Sequence, residues 1–238
     1  MDNNKRVLLK LSGESLAAGN GYGIDPGRLS EYAAAIAEAS KKGFQIAIVI
    51  GGGNIFRGMQ GVAKGFDRVT GDSMGMLATM INSLALRAAM EAEHIPVTLF
   101  TAHSMGPIGR IFKADEVKAS LEAGAVAILS GGTGNPFFTT DSAAALRAAE
   151  IGADYLIKGT RVDGVYTADP EKDPTAKKYA HVSFREVYEK GLKIMDLTAM
   201  TLCQENNIPI LVFNMDVQGN LLRLLEGDPI CTRIDNEV

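Results

Sequence analysis

Glycines, hydroxyls and lysines gather just after short apolar runs at four places in this chain. Lys10-Leu11-Ser12-Gly13-Glu14 closes the run Val7–Leu11, and Gly51-Gly52-Gly53-Asn54 follows Gln45–Ile50, with Arg57 one turn on. Gly131-Gly132-Thr133-Gly134-Asn135-Pro136-Phe137-Phe138-Thr139-Thr140-Asp141 follows Ala125–Leu129. Lys158-Gly159-Thr160 closes Tyr155–Lys158, ahead of Asp163-Gly164-Val165-Tyr166-Thr167-Ala168-Asp169-Pro170. This pattern suits phosphate. Glycines let a polyphosphate approach backbone N–H groups, and a helix starting after the loop adds its positive end. Lysine and arginine neutralise charge spread over a transferred phosphoryl group, a reaction that needs mainly positioning and electrostatics.

Each piece alone has a plainer reading. A triple glycine after a strand also makes a simple tight turn, Lys10 alone reads as a solvated charge, and Asp141 alone reads as a helix cap. Gly19–Gly23 lacks the GxGxxG spacing between strand and helix and reads as a loop. No GxxxxGK[ST] run exists, and the protein-kinase set is missing. Ser12 is not in a GxSxG elbow. His94, His103 and His181 are scattered without ligand spacing, and the helically spaced methionines read as core.

The elements that must position these groups alternate. Strand candidates are Val7–Leu11, Gln45–Ile50, Val97–Thr101, Ala125–Leu129, Tyr155–Lys158 and Ile210–Asn214. Each is short and apolar on both faces, as in a buried parallel strand. Asp25-Pro26 signals a helix start, Leu29, Ala33, Ile36 and Ala37 mark its face, and Gly43 ends it. A long helix is predicted over Asp72–Ala92. It is apolar nearly all round, so it is either central or part of a subunit contact. Further helices fit Lys113–Glu122, Asp141–Ile151, Ser183–Lys190 and Thr198–Asn206, and Thr167–Lys178 reads as a surface loop. The β-α alternation predicts an α/β fold, a three-layer αβα sandwich around a mainly parallel sheet, with residues 1–238 as a single domain. Ligands in such sheets gather beyond the carboxyl ends of strands, where the four clusters fall.

Composition fits this picture. The 238 residues are 46% hydrophobic and 22% charged with net charge −4, an ordinary globular mixture that argues against general nucleic-acid binding. Cys203 and Cys231 have no metal or disulfide spacing and read as reduced thiols. Met1–Arg6 is polar and lacks a signal peptide's apolar region, and no apolar run approaches the ~20 residues that span a bilayer. A soluble, cytoplasmic protein without membrane association is expected.

Taken together the segments are specific. KLSGE at Lys10–Glu14 and VIGGGNIFRG at Val49–Gly58 resemble the amino acid kinase family. GDSMGMLAT at Gly71–Thr79, GTGNPFFTTDSAA at Gly132–Ala144, KGTRVDGVYTADP at Lys158–Pro170 and FNMD at Phe213–Asp216 look like its bacterial uridylate kinase branch. The likeness runs nearly end to end and implies the carbamate kinase-like fold of the family. It implies γ-phosphoryl transfer from Mg2+-ATP to UMP in pyrimidine nucleotide synthesis. Lys10, Leu11, Ser12, Gly13, Gly53 and Arg57 would serve the ATP phosphates, and Thr160, Tyr166 and Asp169 the adenosine. Gly52, Asp72 and the stretch Thr133, Gly134, Asn135, Pro136, Phe137, Phe138, Thr139 and Thr140 would line the UMP pocket, Asp72 on the ribose hydroxyls. Catalytic candidates are Lys10, Arg57, Asp141 and Asp196, the two aspartates orienting lysine, magnesium or phosphate, with Lys158 a weaker one. No protein cage for the metal is implied, since ATP phosphates hold most of it. The resemblance further implies a homohexamer activated by GTP and inhibited by UTP, with the Ala18, Gly19, Asn20, Gly21, Tyr22, Gly23 loop in the GTP response.

Two other readings compete. A kinase of the same fold acting on carbamate or an amino-acid carboxylate would not need the GTGNPFFTTD run with Asp72. A non-catalytic uridine-nucleotide sensor would not need Lys10 and Arg57 beside intact phosphate loops.

Overall fold

The six runs read as strands all pair in one sheet. The computed structural model describes residues 5–17, 19, 21–56 and 65–237. Strands β1 (Arg6–Leu11), β2 (Gln45–Ile50), β3 (Val97–Thr101), β5 (Val126–Ser130), β6 (Tyr155–Thr160) and β8 (Ile210–Asn214) run parallel. Three short strands escaped the sequence reading: β4 (Arg110–Ile111), β7 (His181–Ser183) and β9 (Thr232–Asp235). The order is β4-β3-β5-β2-β1-β6-β8-β9-β7, with β9 antiparallel to β8.

Both faces of the sheet are covered, which is why its strands are apolar throughout. Val7, Leu9 and Leu11 of β1 point into a core shared with α1 (Pro26–Lys41), α2 (Arg68–Ala92) and α7 (Asn220–Glu226). Leu8 faces the opposite core, built with α3 (Ala114–Glu122), α4 (Thr140–Ile151), α5 (Phe184–Glu189) and α6 (Leu197–Glu205). Strand alternation then puts Lys10 on the Leu8 side, beyond the end of that core. Each fully buried Leu or Ile contributes about 1.5–3 kcal/mol by leaving water.

Helix starts follow their caps. Asp25 accepts from Gly27 N at 2.8 Å and Arg28 N at 3.0 Å, with Pro26 in the first turn. The long helix begins at Arg68 rather than Asp72, because Asp67 accepts from Thr70 N at 3.0 Å. Asp72 therefore sits one turn inside α2. That helix buries Ala78, Thr79, Asn82, Leu86 and Met90 but leaves Leu77 and Ile81 half exposed, so it packs on one side only. Thr139, and not Asp141, caps α4, its hydroxyl accepting from Asp141 N at 3.1 Å and Ser142 N at 3.2 Å. Asp196 caps α6 through Ala199 N at 2.9 Å.

The segment after β6 is held at the far edge of the sheet. Thr232 Oγ1 in β9 accepts from Val165 N at 2.8 Å and donates to the Tyr179 carbonyl. Tyr166 and Lys178 pair across a single antiparallel bridge, so Thr167–Lys178 is a tethered surface loop.

Candidate active site

Lys10 and Lys158 stand side by side, register partners on the parallel strands β1 and β6. Between their ammonium groups lies Asp141, in the first turn of α4. Its Oδ1 is 2.6 Å from Lys10 Nζ and its Oδ2 is 3.1 Å from Lys158 Nζ. The Lys10 contact is a close ion pair that holds the buried Oδ1. Lys158 also donates to the Ile194 carbonyl. Burial pushes the Asp141 carboxyl up, but the two ammonium groups outweigh it and hold it below the ordinary aspartate range. Lys158 is also held below its ordinary value, for a different reason. Burial lowers it most, and with the neighbouring Lys10 charge it outweighs the pull of Asp141. Two cations with one carboxylate leave a net positive centre facing the strand ends.

Two cavities meet at this centre. One, of about 570 Å³, is lined by Lys158, Thr160, Tyr166, Asp169, Lys190 and Lys193, with Val162, Leu192 and Val212 as apolar wall. Tyr166 is held by its own loop, its hydroxyl donating to Asp163 Oδ1 at 2.6 Å. The other, of about 530 Å³, is lined by Lys10, Ser12, Gly13, Gly52, Gly53, Asp72, Thr133, Asn135, Phe138, Thr139 and Thr140. Residues from three separate strand ends and from α2 are thus gathered round one space, as their positions beyond the sheet require.

Glycine is needed here for close packing. A Cβ on Gly13 would lie 2.4 Å from the Gly51 carbonyl oxygen. One on Gly52 would lie 2.7 Å from Ala78 Cβ and 2.9 Å from Thr79 N, so the β2 turn lies directly on α2.

The loop after β5 is stapled to α2 at both ends. Gly131 N donates to Thr79 Oγ1 at 3.0 Å, and Phe137 N donates to Asp72 Oδ2 at 2.7 Å. Phe137 holds φ +73, a conformation that costs a non-glycine residue energy unless its surroundings fix it. Arg68 supplies part of that fixing. It ion-pairs with Asp72 at 2.8 Å and lies over the Phe137 ring at 5.5 Å. At the other end of the loop, Asp196 accepts from Thr139 Oγ1 and, at 2.9 Å, from Ser142 Oγ, binding the start of α4 to that of α6.

Several expected residues fall elsewhere. Leu11 is buried in β1, and Gly134, Pro136 and Phe137 belong to the loop without lining either cavity. Asp196 spends its hydrogen bonds on Thr139, Ser142 and Ala199, so it reaches Lys158 only through space. Arg57, Ala18 and Asn20 lie outside the described residues, and Gly19, Gly21, Tyr22 and Gly23 line neither cavity. Conversely, Arg68, Gly75, Met76 and Thr79 line the second cavity and Lys190 and Lys193 the first, none of them given a site role from sequence, although Gly75, Met76 and Thr79 lie in the GDSMGMLAT motif. A basic residue opening the long helix was the one available signal for Arg68.

Among the described residues, no three His, Cys, Asp or Glu side chains converge as a metal cage, and no helix is long and apolar enough to cross a membrane.

The model of the amino acid kinase family matches residues 5–214. The uridylate kinase of Parabacteroides distasonis is 59% identical over 232 residues, 98% of each chain. That of Bacteroides thetaiotaomicron is 57% identical over the same length, again 98% of each. The solved structure of UMP kinase from Bacillus anthracis superimposes with a TM-score of 0.95 at 36% identity, covering 98% of this chain and 97% of that one. UMP kinase from Ureaplasma parvum gives 0.93 at 38% identity, covering 98% and 99%.

Proposed function

The chain belongs to the amino acid kinase family, in its uridylate kinase branch, and from that premise we propose that it transfers the γ-phosphoryl group of ATP to UMP. The observation that carries this reading is the Lys10–Asp141–Lys158 centre lying where two nucleotide-sized cavities meet.

The adenosine of ATP takes the cavity of Thr160, Tyr166 and Asp169, and its phosphates run toward Lys158 and Lys10. UMP takes the other cavity, with its ribose diol on Asp72 and its phosphate near Thr139, Thr140 and the start of α4, where the positive end of the helix favours an anion. A UMP phosphate oxygen attacks the γ-phosphorus. The new P–O bond forms as the β,γ-bridging bond breaks, and ADP leaves with the electron pair. The nucleophile is already ionised near neutral pH, so no side chain has to remove a proton. Lys10 and Lys158 stabilise charge on the transferring group, and Asp141 keeps both ammonium groups aimed at it. Magnesium fits the site as a phosphate-held ion. Asp141 is a single carboxylate between two lysines, one on each oxygen, and among the described residues no protein cage surrounds it. When bound it would draw charge from the ATP phosphates. Arg57 is assigned to the ATP phosphates with Ser12, Gly13 and Gly53.

The same reading makes the protein a cytoplasmic, single-domain enzyme of pyrimidine nucleotide synthesis, activated by GTP and inhibited by UTP. It assembles as a homohexamer, for which the half-exposed Leu77 and Ile81 of α2 offer an apolar contact face.

A coupled ADP-release assay with Mg2+-ATP tests the reaction, offering UMP, CMP, dUMP, carbamate and aspartate in parallel. Turnover with UMP is expected, reduced by about 10²–10³ in Lys10→Ala as for loss of one preorganised stabiliser. Turnover with carbamate or aspartate alone would overturn the UMP assignment, and UTP binding with no turnover would make the protein a sensor.

A further inference from the structure

Asn54 and Asn82 form a reciprocal amide pair in the interior, 1% and 0% exposed. Asn54 Nδ2 donates to Asn82 Oδ1 at 3.1 Å, and Asn82 Nδ2 donates to Asn54 Oδ1 at 2.7 Å. The remaining donor of each amide is also used. Asn54 Nδ2 reaches the Gly23 carbonyl at 2.7 Å, and Asn82 Nδ2 reaches the Gly51 carbonyl at 2.7 Å. Each side-chain amide has two N–H donors, so every donor of the pair is satisfied. A fully satisfied buried polar network fixes one arrangement, because any displacement leaves a polar group unpaired in a dry place.

What the pair fixes is the phosphate side of the candidate site. The Gly51 carbonyl that Asn82 holds is the atom against which Gly13 packs, and Asn54 Oδ1 would lie 2.6 Å from a Cβ on Gly13. Gly51 N in turn donates to the Leu11 carbonyl at 3.0 Å. The turn after β1 and the turn after β2 are therefore locked to each other and to α2 through one residue, Gly51, whose N–H and carbonyl are both engaged. The third partner is the loop before α1. Gly23 N donates back to the Asn54 carbonyl at 2.9 Å, so Gly23 and Asn54 are joined twice.

We propose that the Asn54–Asn82 pair is a positioning device for phosphoryl transfer. It sets the separation of the Ser12-Gly13 and Gly51-Gly53 turns and ties that separation to the loop ending at Gly23. Neither side chain touches the reacting groups. The proposal rests on the kinase reading above and adds to it the residues that hold its two phosphate turns in place. A misplacement of about 1 Å away from the chemistry can cost on the order of 100-fold in rate. Loss of the pair is therefore read in kcat more than in binding.

The experiment compares Asn54→Ala, Asn82→Ala and the double variant as full-length enzyme, with thermal unfolding measured beside steady-state kinetics. Each single variant is expected to lose about 10- to 100-fold in kcat at saturating ATP and UMP, assayed well below its melting temperature, with both KM values within about threefold. Because the two act as one unit, the double variant should lose no more than about threefold beyond the worse single variant. An unchanged kcat with only a lower melting temperature would overturn the proposal, as would losses that multiply in the double variant. Should the wild-type enzyme turn over no acceptor, the kinase reading fails and amide hydrogen exchange takes the place of kinetics. Exchange at least tenfold faster at Gly23 N and Gly51 N in both single variants would then uphold the tie between the turns, and unchanged exchange would overturn it.

Discussion

Replacing Asp141 by asparagine keeps the shape of the side chain but removes the charge between Lys10 and Lys158. The lysines are 12% and 16% exposed at the side chain and Asp141 is 16% exposed. Breaking a buried pair by deleting one partner costs about 3–5 kcal/mol. The small remaining exposure puts this case at the lower end, about 3 kcal/mol. For a chain of this size that is a fall of about 6–12 °C in melting temperature. The pH dependence separates charge from packing. In the wild type, the depressed carboxyl of Asp141 contributes stability that is fully present above its ordinary value of about 3.9. That contribution is lost as pH falls through the lower folded value. Wild type and Asp141→Asn should therefore converge in acid. In alkali they converge again. Without Asp141, Lys158 is depressed further, its charged folded form is penalised below its folded value, and the penalty fades as pH rises toward the ordinary lysine value of about 10.4. Melting curves by circular dichroism from pH 2 to 10 should thus show a gap that is widest near neutrality and closes at both ends. A gap under 2 °C at pH 7, or one that stays constant across the range, would refute the electrostatic account of the centre.

Thr79→Val should destabilise the chain by about 1–3 kcal/mol, because the buried Gly131 N–H loses its acceptor. Thr79→Ser, which keeps the hydroxyl, should lose much less in urea titration, and a Thr79→Ser loss as large as that of Thr79→Val would refute the hydrogen-bond account. Asp72→Ala should raise the KM for UMP about tenfold or more and leave the KM for ATP within about twofold. Parallel rises in both would show that Asp72 acts only by holding the Phe137 turn. Burial pushes the Cys203 thiol up to about 12, so in a Cys231→Ser background an aromatic disulfide reagent at pH 8 should leave the folded protein unlabelled and react fully in denaturant. Prompt labelling of the folded form would contradict that burial.

The parallel strands of the sheet were legible because burial on both faces makes a run such as QIAIVI continuous in apolar residues. β9 was not, since TRID is four residues long and carries two charges, which only the fold shows to be paired with each other and, at Asp235, with His181 of β7. The start of α2 was misjudged by one turn. Asp67 and Asp72 are equally good caps by type, and only the backbone geometry at Asp67 decides between them. In the candidate site, the phosphate-facing turns could be read from glycine and lysine spacing. The partnership of Lys10 with Lys158 could not, because it depends on which strands are neighbours and in what register. The cap alternative for Asp141 fell only when Thr139 was seen to occupy the cap. Asn54 and Asn82 carry no motif, and their importance arises from meeting in a buried place 28 positions apart.

The side-by-side placement of Lys10 and Lys158 makes catalytic competence a readout of assembly. Successive residues of a strand face opposite sides, so a slip of one position between β1 and β6 would send one lysine into the core under α1 and α2 and leave Asp141 with a single partner. A molecule that has misthreaded its central strands has no correctly built charge centre. Recovered turnover after refolding therefore counts the molecules whose central pairing is right, a census that circular dichroism cannot take because both populations would hold the same amount of strand. Single-residue insertions or deletions in either strand should be silent in secondary structure and fatal to turnover.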